Sequence, residues 1–276
     1  MCDICVMNRV RERMLAERGP SRRDLMRGAL AVGAAGLATG AMTAPARAQA
    51  GIAVHDMTHT LSEDFPTFPG VPGFAMTKKY DFAADGYNLY DLTIDEHTGT
   101  HIDAPLHFSE DGQSVDELPV ASLVCPLCVI DIREKAAADP DAQVTPDDLE
   151  AWIAANGEFP DRACVAMLSG WAEKVDGDGF RNADADGVMH FPGFHPEATD
   201  MLLQSLAGAI AVDTLSLDHG PSQDFATHYA WLPAGRYGIE CVAGLDAVPA
   251  AGATLVVGAP KHRRGTGGPA RIFAMV

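Results

Sequence analysis

Three histidines and one aspartate crowd into eleven residues of the run His97-Thr98-Gly99-Thr100-His101-Ile102-Asp103-Ala104-Pro105-Leu106-His107-Phe108. Imidazole and carboxylate together suit Zn2+, Mn2+ or Fe2+, and three protein ligands leave positions open for water. His97 and His101 are four apart, a spacing that on a helix would aim both at one ion. Gly99 between two threonines makes a helix poor here. On an extended chain, positions 97, 101, 103 and 107 share a face. His101 and Asp103 would then stand roughly 7 Å apart, within side-chain reach of one point, but His97 and His101 roughly 13 Å apart. The chain must therefore bend between 97 and 101, and Gly99 permits that. An ion held there lowers the pKa of water towards about 7, giving hydroxide to attack an amide or ester carbonyl.

Two downstream residues join this group. Glu240 sits in the apolar run Tyr237-Gly238-Ile239-Glu240-Cys241-Val242-Ala243. A carboxylate buried there needs a cation or a proton, with Arg236 as the local alternative partner. His228 follows a loop that begins at Gly220, and His219 is its substitute as a ligand. His190, His195 and His262 lack ligand spacing and read as structural or surface residues. His55 and His59 flank an opening strand and read as packing, as do Trp171 and Phe225, although both aromatics could line a pocket.

The elements that must position these groups are mostly strands. Val54–Thr60 and Leu89–Asp95 alternate as half-buried strands do. The apolar runs 127–132, 165–168, 209–217, 237–245, 254–257 and 271–276 read as buried strands. Helices are expected at 146–156, with Thr145 as cap and Pro146 in first position, and at 196–206, with a short third near Val120. The expectation is an α/β protein with one strand-rich domain over 49–276, not a doubly wound nucleotide binder. The glycines, Gly267-Gly268 included, form no phosphate-cradling loop.

Composition narrows the partners. The chain has 276 residues, and its 47% hydrophobic content is too high for disorder. Its formal charge of −18 argues against nucleic acid and against an anionic membrane surface. Eight of the 20 basic residues lie in residues 1–50, against four of the 38 acids, so the remainder carries −22. That early stretch holds Arg22-Arg23, an uncharged run from Gly28 to Met42, and Ala46-Arg47-Ala48. The order resembles a twin-arginine export signal over 1–48, which implies a periplasmic protein with no membrane attachment after cleavage. Cys2 and Cys5 would leave with it. Cys125 and Cys128 have redox or zinc spacing but no second pair, and could form a disulfide in the periplasm; Cys164 and Cys241 read as core.

The cluster also carries a family resemblance. It matches the signature His-x-Gly-Thr-His-x-Asp-x-Pro-x-His of the cyclase family, which includes bacterial kynurenine formamidases and isatin hydrolases. Similar stretches run from His55 to Gly70, at Ser169-Gly170-Trp171, at Phe191-Pro192-Gly193, and from Asp213 to Glu240. The resemblance implies the swivelling β/β/α-like fold. It implies His97, His101 and Asp103 around one ion, and Asp103, His228 and Glu240 around a second, with Zn or Mn and one or two ions per chain. It implies His107 as acid/base and Phe68 as an aromatic substrate contact, where the formamidases usually carry Trp. The implied activity is hydrolysis of an aryl formamide or cyclic aryl amide, as in tryptophan catabolism, by a homodimer or homotetramer. An isatin-type or lactone ring opener is the alternative enzyme. A non-catalytic periplasmic metal or small-molecule binder is the alternative outside enzymes, and His107 beside a full ligand set speaks against it.

Overall fold

Glu240 and His101 face each other because a nine-stranded sheet pairs their strands, and the apolar runs build that sheet. The computed structural model describes residues 51–276. The export signal expected over 1–48 lies outside the described residues. The strands of the sheet are β1 (Val54–Asp56), β4 (His101–Asp103), β5 (Val124–Asp131), β7 (Cys164–Leu168), β9 (Ala209–Val212), β10 (Tyr237–Glu240), β11 (Ala253–Gly258), β12 (Gly267–Pro269) and β13 (Arg271–Met275). Their spatial order is β1-β13-β11-β5-β7-β9-β10-β4-β12. The four central strands β5, β7, β9 and β10 are parallel, and every flanking pair is antiparallel. Two-stranded sheets pair β2 (Phe74–Tyr80) with β3 (Leu89–Ile94) and β6 (Gln143–Val144) with β8 (Gly193–Phe194).

Both faces of the central strands are buried, as expected for parallel strands. Leu127 and Val129 of β5, Ala166 of β7 and Ala211 of β9 pack on one face with Ile239, Leu255 and Ile272. Ile130, Val165, Met167 and Ile210 pack on the other, against helices. Those helices are α3 (Pro146–Asn156), α4 (Pro196–Leu203) and α5 (Ala226–Trp231); the chain also forms α1 (Phe82–Asp85) and α2 (Arg133–Ala138). α3 begins and ends where the sequence places it. The Asp148 carboxylate accepts from Thr145 N at 2.7 Å and from Thr145 Oγ1 at 2.8 Å, closing a capping box. Residues 51–77 and 91–276 form one compact unit; Lys78–Tyr90 fall in a second, where Asp81 caps α1 and Gly86 ends it.

Several expected boundaries shift for local reasons. α4 stops at Leu203, not Leu206, because Arg236 takes the carbonyls of Leu202 and Leu203 at 2.7 Å each. The 209–217 run leaves the sheet after Val212, where Asp213 turns to cap another loop. The 237–245 run ends at Glu240, since Cys241 adopts φ 55. The opening strand ends at Asp56, and β3 is exposed along its whole length instead of half-buried. Near Val120 the chain forms a 3-10 turn. Cys125, Cys128, Cys164 and Cys241 are all buried free thiols.

Candidate metal centre

β4 supplies His101 and Asp103 two residues apart, so both side chains leave one face of the strand. Antiparallel pairing with β10 sets Glu240 opposite His101 and Gly238 opposite Asp103. α5 supplies His228, which is buried. The bend before β4 occurs where it must: Gly99 has φ 66, and it returns His97 to the same point. His107 arrives on the 3-10 turn Pro105–Phe108.

The ligand atoms converge. His97 Nδ1 lies 2.6 Å and His101 Nε2 3.3 Å from Asp103 Oδ1. Glu240 reaches His101 Nε2 at 3.4 Å through Oε2 and His228 Nε2 at 3.2 Å through Oε1. His228 Nε2 is 3.8 Å from Asp103 Oδ2. Of the sequence-expected ligands, His101, Asp103 and Glu240 offer atoms to one point, His97 joins Asp103 and His107 in an adjoining group, and His228 contacts Glu240 and Asp103, while His219 is in neither group. His107 stacks on His97 with ring centroids 3.7 Å apart, and its ring can offer a nitrogen to the His97–Asp103 pair. Arg236, the alternative partner for Glu240, is committed to the end of α4.

The donor set fits a divalent cation. Asp103 and Glu240 are buried, at 1% and 6% exposure, with no Lys or Arg paired to either among the described residues. Burying unpaired carboxylates costs several kcal/mol each, so the site calls for positive charge. In the bare protein, protons serve. Burial works against a charged His228, but its hydrogen bond to Asp218 and the charges of Glu240 and Asp103 prevail and raise its pKa to about 10. Burial likewise opposes charge on His101, yet Asp103 and Glu240 hold it well above the usual range. Asp103 is held well below its usual range, because His101 and His97 outweigh burial. His101 Nε2 and Asp103 Oδ2 have no hydrogen-bond partner.

Second nitrogens orient these rings. His101 Nδ1 donates to the Gly99 carbonyl at 2.8 Å, which turns Nε2 toward the site. His228 Nδ1 lies 2.6 Å from Asp218 Oδ2. Asp218 also accepts from Thr227 N and His228 N, so one carboxylate both caps α5 and aims its histidine. Reading the sequence missed this role for Asp218, whose only signal is an acid just before the loop leading to His228.

A cavity of about 380 Å3 opens beside the cluster. Pro66, Phe68, Phe108, Leu215 and Phe225 form its apolar wall, and His97, His101, His107, His228 and Glu240 its polar end. Phe68 thus stands where a substrate contact was expected, 5.9 Å from the ring of Phe225. Phe225 lines the cavity, whereas Trp171 is buried core. No Lys or Arg lines this cavity. Burial lowers the pKa of His107 to about 4, so its ring is neutral at pH 7. The hydroxyl of Thr100 donates to the Cys241 carbonyl at 2.6 Å. A larger cavity, about 1250 Å3, is lined by His59, Glu63, Asp176 and Arg181 and contains none of the cluster. Among the other histidines, His190 pairs with Asp141, His195 caps α4 and His262 pairs with Glu96.

The family model Cyclase, described as "Putative cyclase", matches residues 55–219, more than half the chain. The chain belongs to the cyclase family. An isatin hydrolase from Roseibium aggregatum is 32% identical over 82% of this chain and 92% of its own length. A kynurenine formamidase from Salinibacter ruber is 26% identical over 68% of this chain and 82% of its own. The structure of isatin hydrolase A from Labrenzia aggregata, bound to benzyl benzoate, superposes with a TM-score of 0.77 at 34% identity, over 82% of this chain and 94% of that one. The family match covers His97 to His107 and ends before His228 and Glu240.

Proposed function

We propose that this protein is a metal-dependent hydrolase that cleaves the C–N bond of an uncharged aromatic amide, with ring opening of an isatin-type lactam as its first-choice reaction. The observation that carries this reading is an aromatic cavity without Lys or Arg, ending on a buried cluster that demands a cation. A formylated amino acid such as N-formylkynurenine would bring a carboxylate that finds no Lys or Arg in the wall, and an ammonium for which Asp95 is the one lining carboxylate outside the ligand cluster. A flat neutral bicyclic amide loses nothing by entering, and the aromatic wall can stack on it. The relatives named isatin hydrolase support the same choice, and aryl formamides remain the second substrate class.

His97, His101, Asp103, His228 and Glu240 would hold one or two divalent ions, Zn or Mn. Such an ion supplies Lewis acidity, polarising the carbonyl and easing proton loss from water. The protein's residues do the rest. Phe68, Phe108 and Phe225 hold the aromatic ring and exclude water. His107, neutral at pH 7, takes the proton from water and hands it to the amide nitrogen, which cannot depart as an anion. A complete set of ligands with a poised base favours this enzyme over a non-catalytic binder. The twin-arginine-like pattern of residues 1–48 supports export to the periplasm by that route, and the family resemblance supports a homodimer or homotetramer of the 49–276 domain. Metal analysis of the purified mature protein, with a hydrolysis screen against isatin, N-formylkynurenine and simple lactones, tests the reading. Turnover of isatin with stoichiometric metal is expected; protein that takes up no metal when supplied with Mn2+ or Zn2+, or metal-loaded protein inert toward all three, would end it.

A further inference from the structure

His97 is anchored from far along the chain. Its Nε2 lies 2.9 Å from Thr266 Oγ1, while Nδ1 faces Asp103. Thr266 sits just ahead of β12, on the connection from β11. Its hydroxyl is 2.5 Å from Glu96 Oε2, and its N–H lies 3.2 Å from each Glu96 oxygen. His262, on the same connection, closes on Glu96 Oε1 at 2.5 Å.

Donor counting fixes the direction of these bonds. An ionised carboxylate only accepts, so the single hydroxyl proton of Thr266 goes to Glu96. Toward His97 that hydroxyl can then only accept, so Nε2 carries a hydrogen. Asp103, also ionised, accepts a second from Nδ1 at 2.6 Å in the bare protein, and a bound cation would take the place of that proton on Nδ1. The ring is also gripped from its sides. A Cβ on Gly267 would lie 2.7 Å from His97 Cε1, so the β12 backbone packs directly on the ring. The loop itself is fastened to the site: Ala104 N donates to the Thr266 carbonyl at 2.8 Å, and Arg264 N to Asp116 at 2.9 Å.

We propose that Thr266 and Glu96 form an outer clamp that sets the tautomer and ring orientation of His97 for metal binding, with His262 steadying Glu96. The inference rests on the metal-centre reading given above. Both act as positioning residues, through His97, and touch neither ion nor substrate. Outer partners of this kind typically contribute roughly 10- to 100-fold in metal affinity.

The test is calorimetric titration of metal-free protein with Mn2+ and Zn2+, plus the visible spectrum of the Co2+ form. Thr266→Val keeps the shape and removes the acceptor; Thr266→Ser restores a hydroxyl; Glu96→Gln carries the same test should Thr266→Val fail to fold. Thr266→Val and Glu96→Gln are expected to weaken binding by roughly 10- to 100-fold and to shift the Co2+ bands. Thr266→Ser is expected to return both to wild type. Folded Thr266→Val or Glu96→Gln that binds as tightly as wild type, with the same Co2+ spectrum, overturns the clamp alone. Wild type that takes up none of these ions overturns the metal centre, and the clamp with it.

Discussion

Glu240 Oε2 and His101 Nε2 meet at 3.4 Å because their residues are direct partners across the antiparallel β10–β4 pair. Sheet register thus joins two chemical groups that lie far apart in the chain. A one-residue slip would turn one of them to the opposite face and break the site.

His107→Ala should separate binding from chemistry. The variant keeps the five ligands and is expected to retain stoichiometric metal while losing about 10²- to 10⁴-fold in kcat, the usual worth of a positioned acid/base. Metal analysis alongside steady-state kinetics checks this. Loss of metal in step with activity would make His107 a ligand instead.

Metal removal should destabilise the fold. An ion bound only by the native state at 100 times its Kd adds about 2.7 kcal/mol. Chelation is therefore expected to lower the thermal midpoint, and added Mn2+ or Zn2+ to restore it, as followed by calorimetry. Unchanged midpoints with and without chelator would contradict a native-state site.

Gly267→Ala should disturb both packing and the site. Its new Cβ would lie 2.3 Å from the Ile102 carbonyl and 2.7 Å from His97 Cε1. Separating β12 from β4 costs about 1–3 kcal/mol by analogy with overpacked cores. Denaturant unfolding reads the stability, and the same preparation should show weakened metal binding.

Much of this centre can be read from the chain. The ligands His97, His101 and Asp103 are local, and the need for a bend at Gly99 follows from reach alone. Glu240 stands out as an acid in an apolar strand. Asp218, Thr266 and Glu96 do not stand out, since their roles come from loops and strand pairings that no local periodicity encodes. Strand ends were missed for similar reasons. Val212 and Glu240 end their strands where Asp213 caps a distant turn and Cys241 takes a left-handed conformation, while the apolar pattern runs on.

Asp213 makes stability depend on pH. It is fully buried, and burial raises its pKa to about 6 despite hydrogen bonds from Ser169, Gly170 and Trp171. Its unfolded value is about 3.9. Between these values the folded chain holds a proton that the unfolded chain has released. Its contribution therefore falls as pH rises from about 4 to 6, by up to ~3 kcal/mol, and stays constant above. Urea unfolding of wild type and Asp213→Asn should show the stability difference, wild type minus variant, shrinking across that window. A difference that grows with pH would reverse the sign argued here.

Anomalous diffraction from crystals grown with Mn2+ or Zn2+ tests the convergent cation site most directly. The expected result is a strong peak within coordination distance of His101 Nε2, Asp103 and Glu240, with His97 or His228 completing the set. Fully loaded crystals with no peak at that focus, or with the ion bound elsewhere, would contradict it.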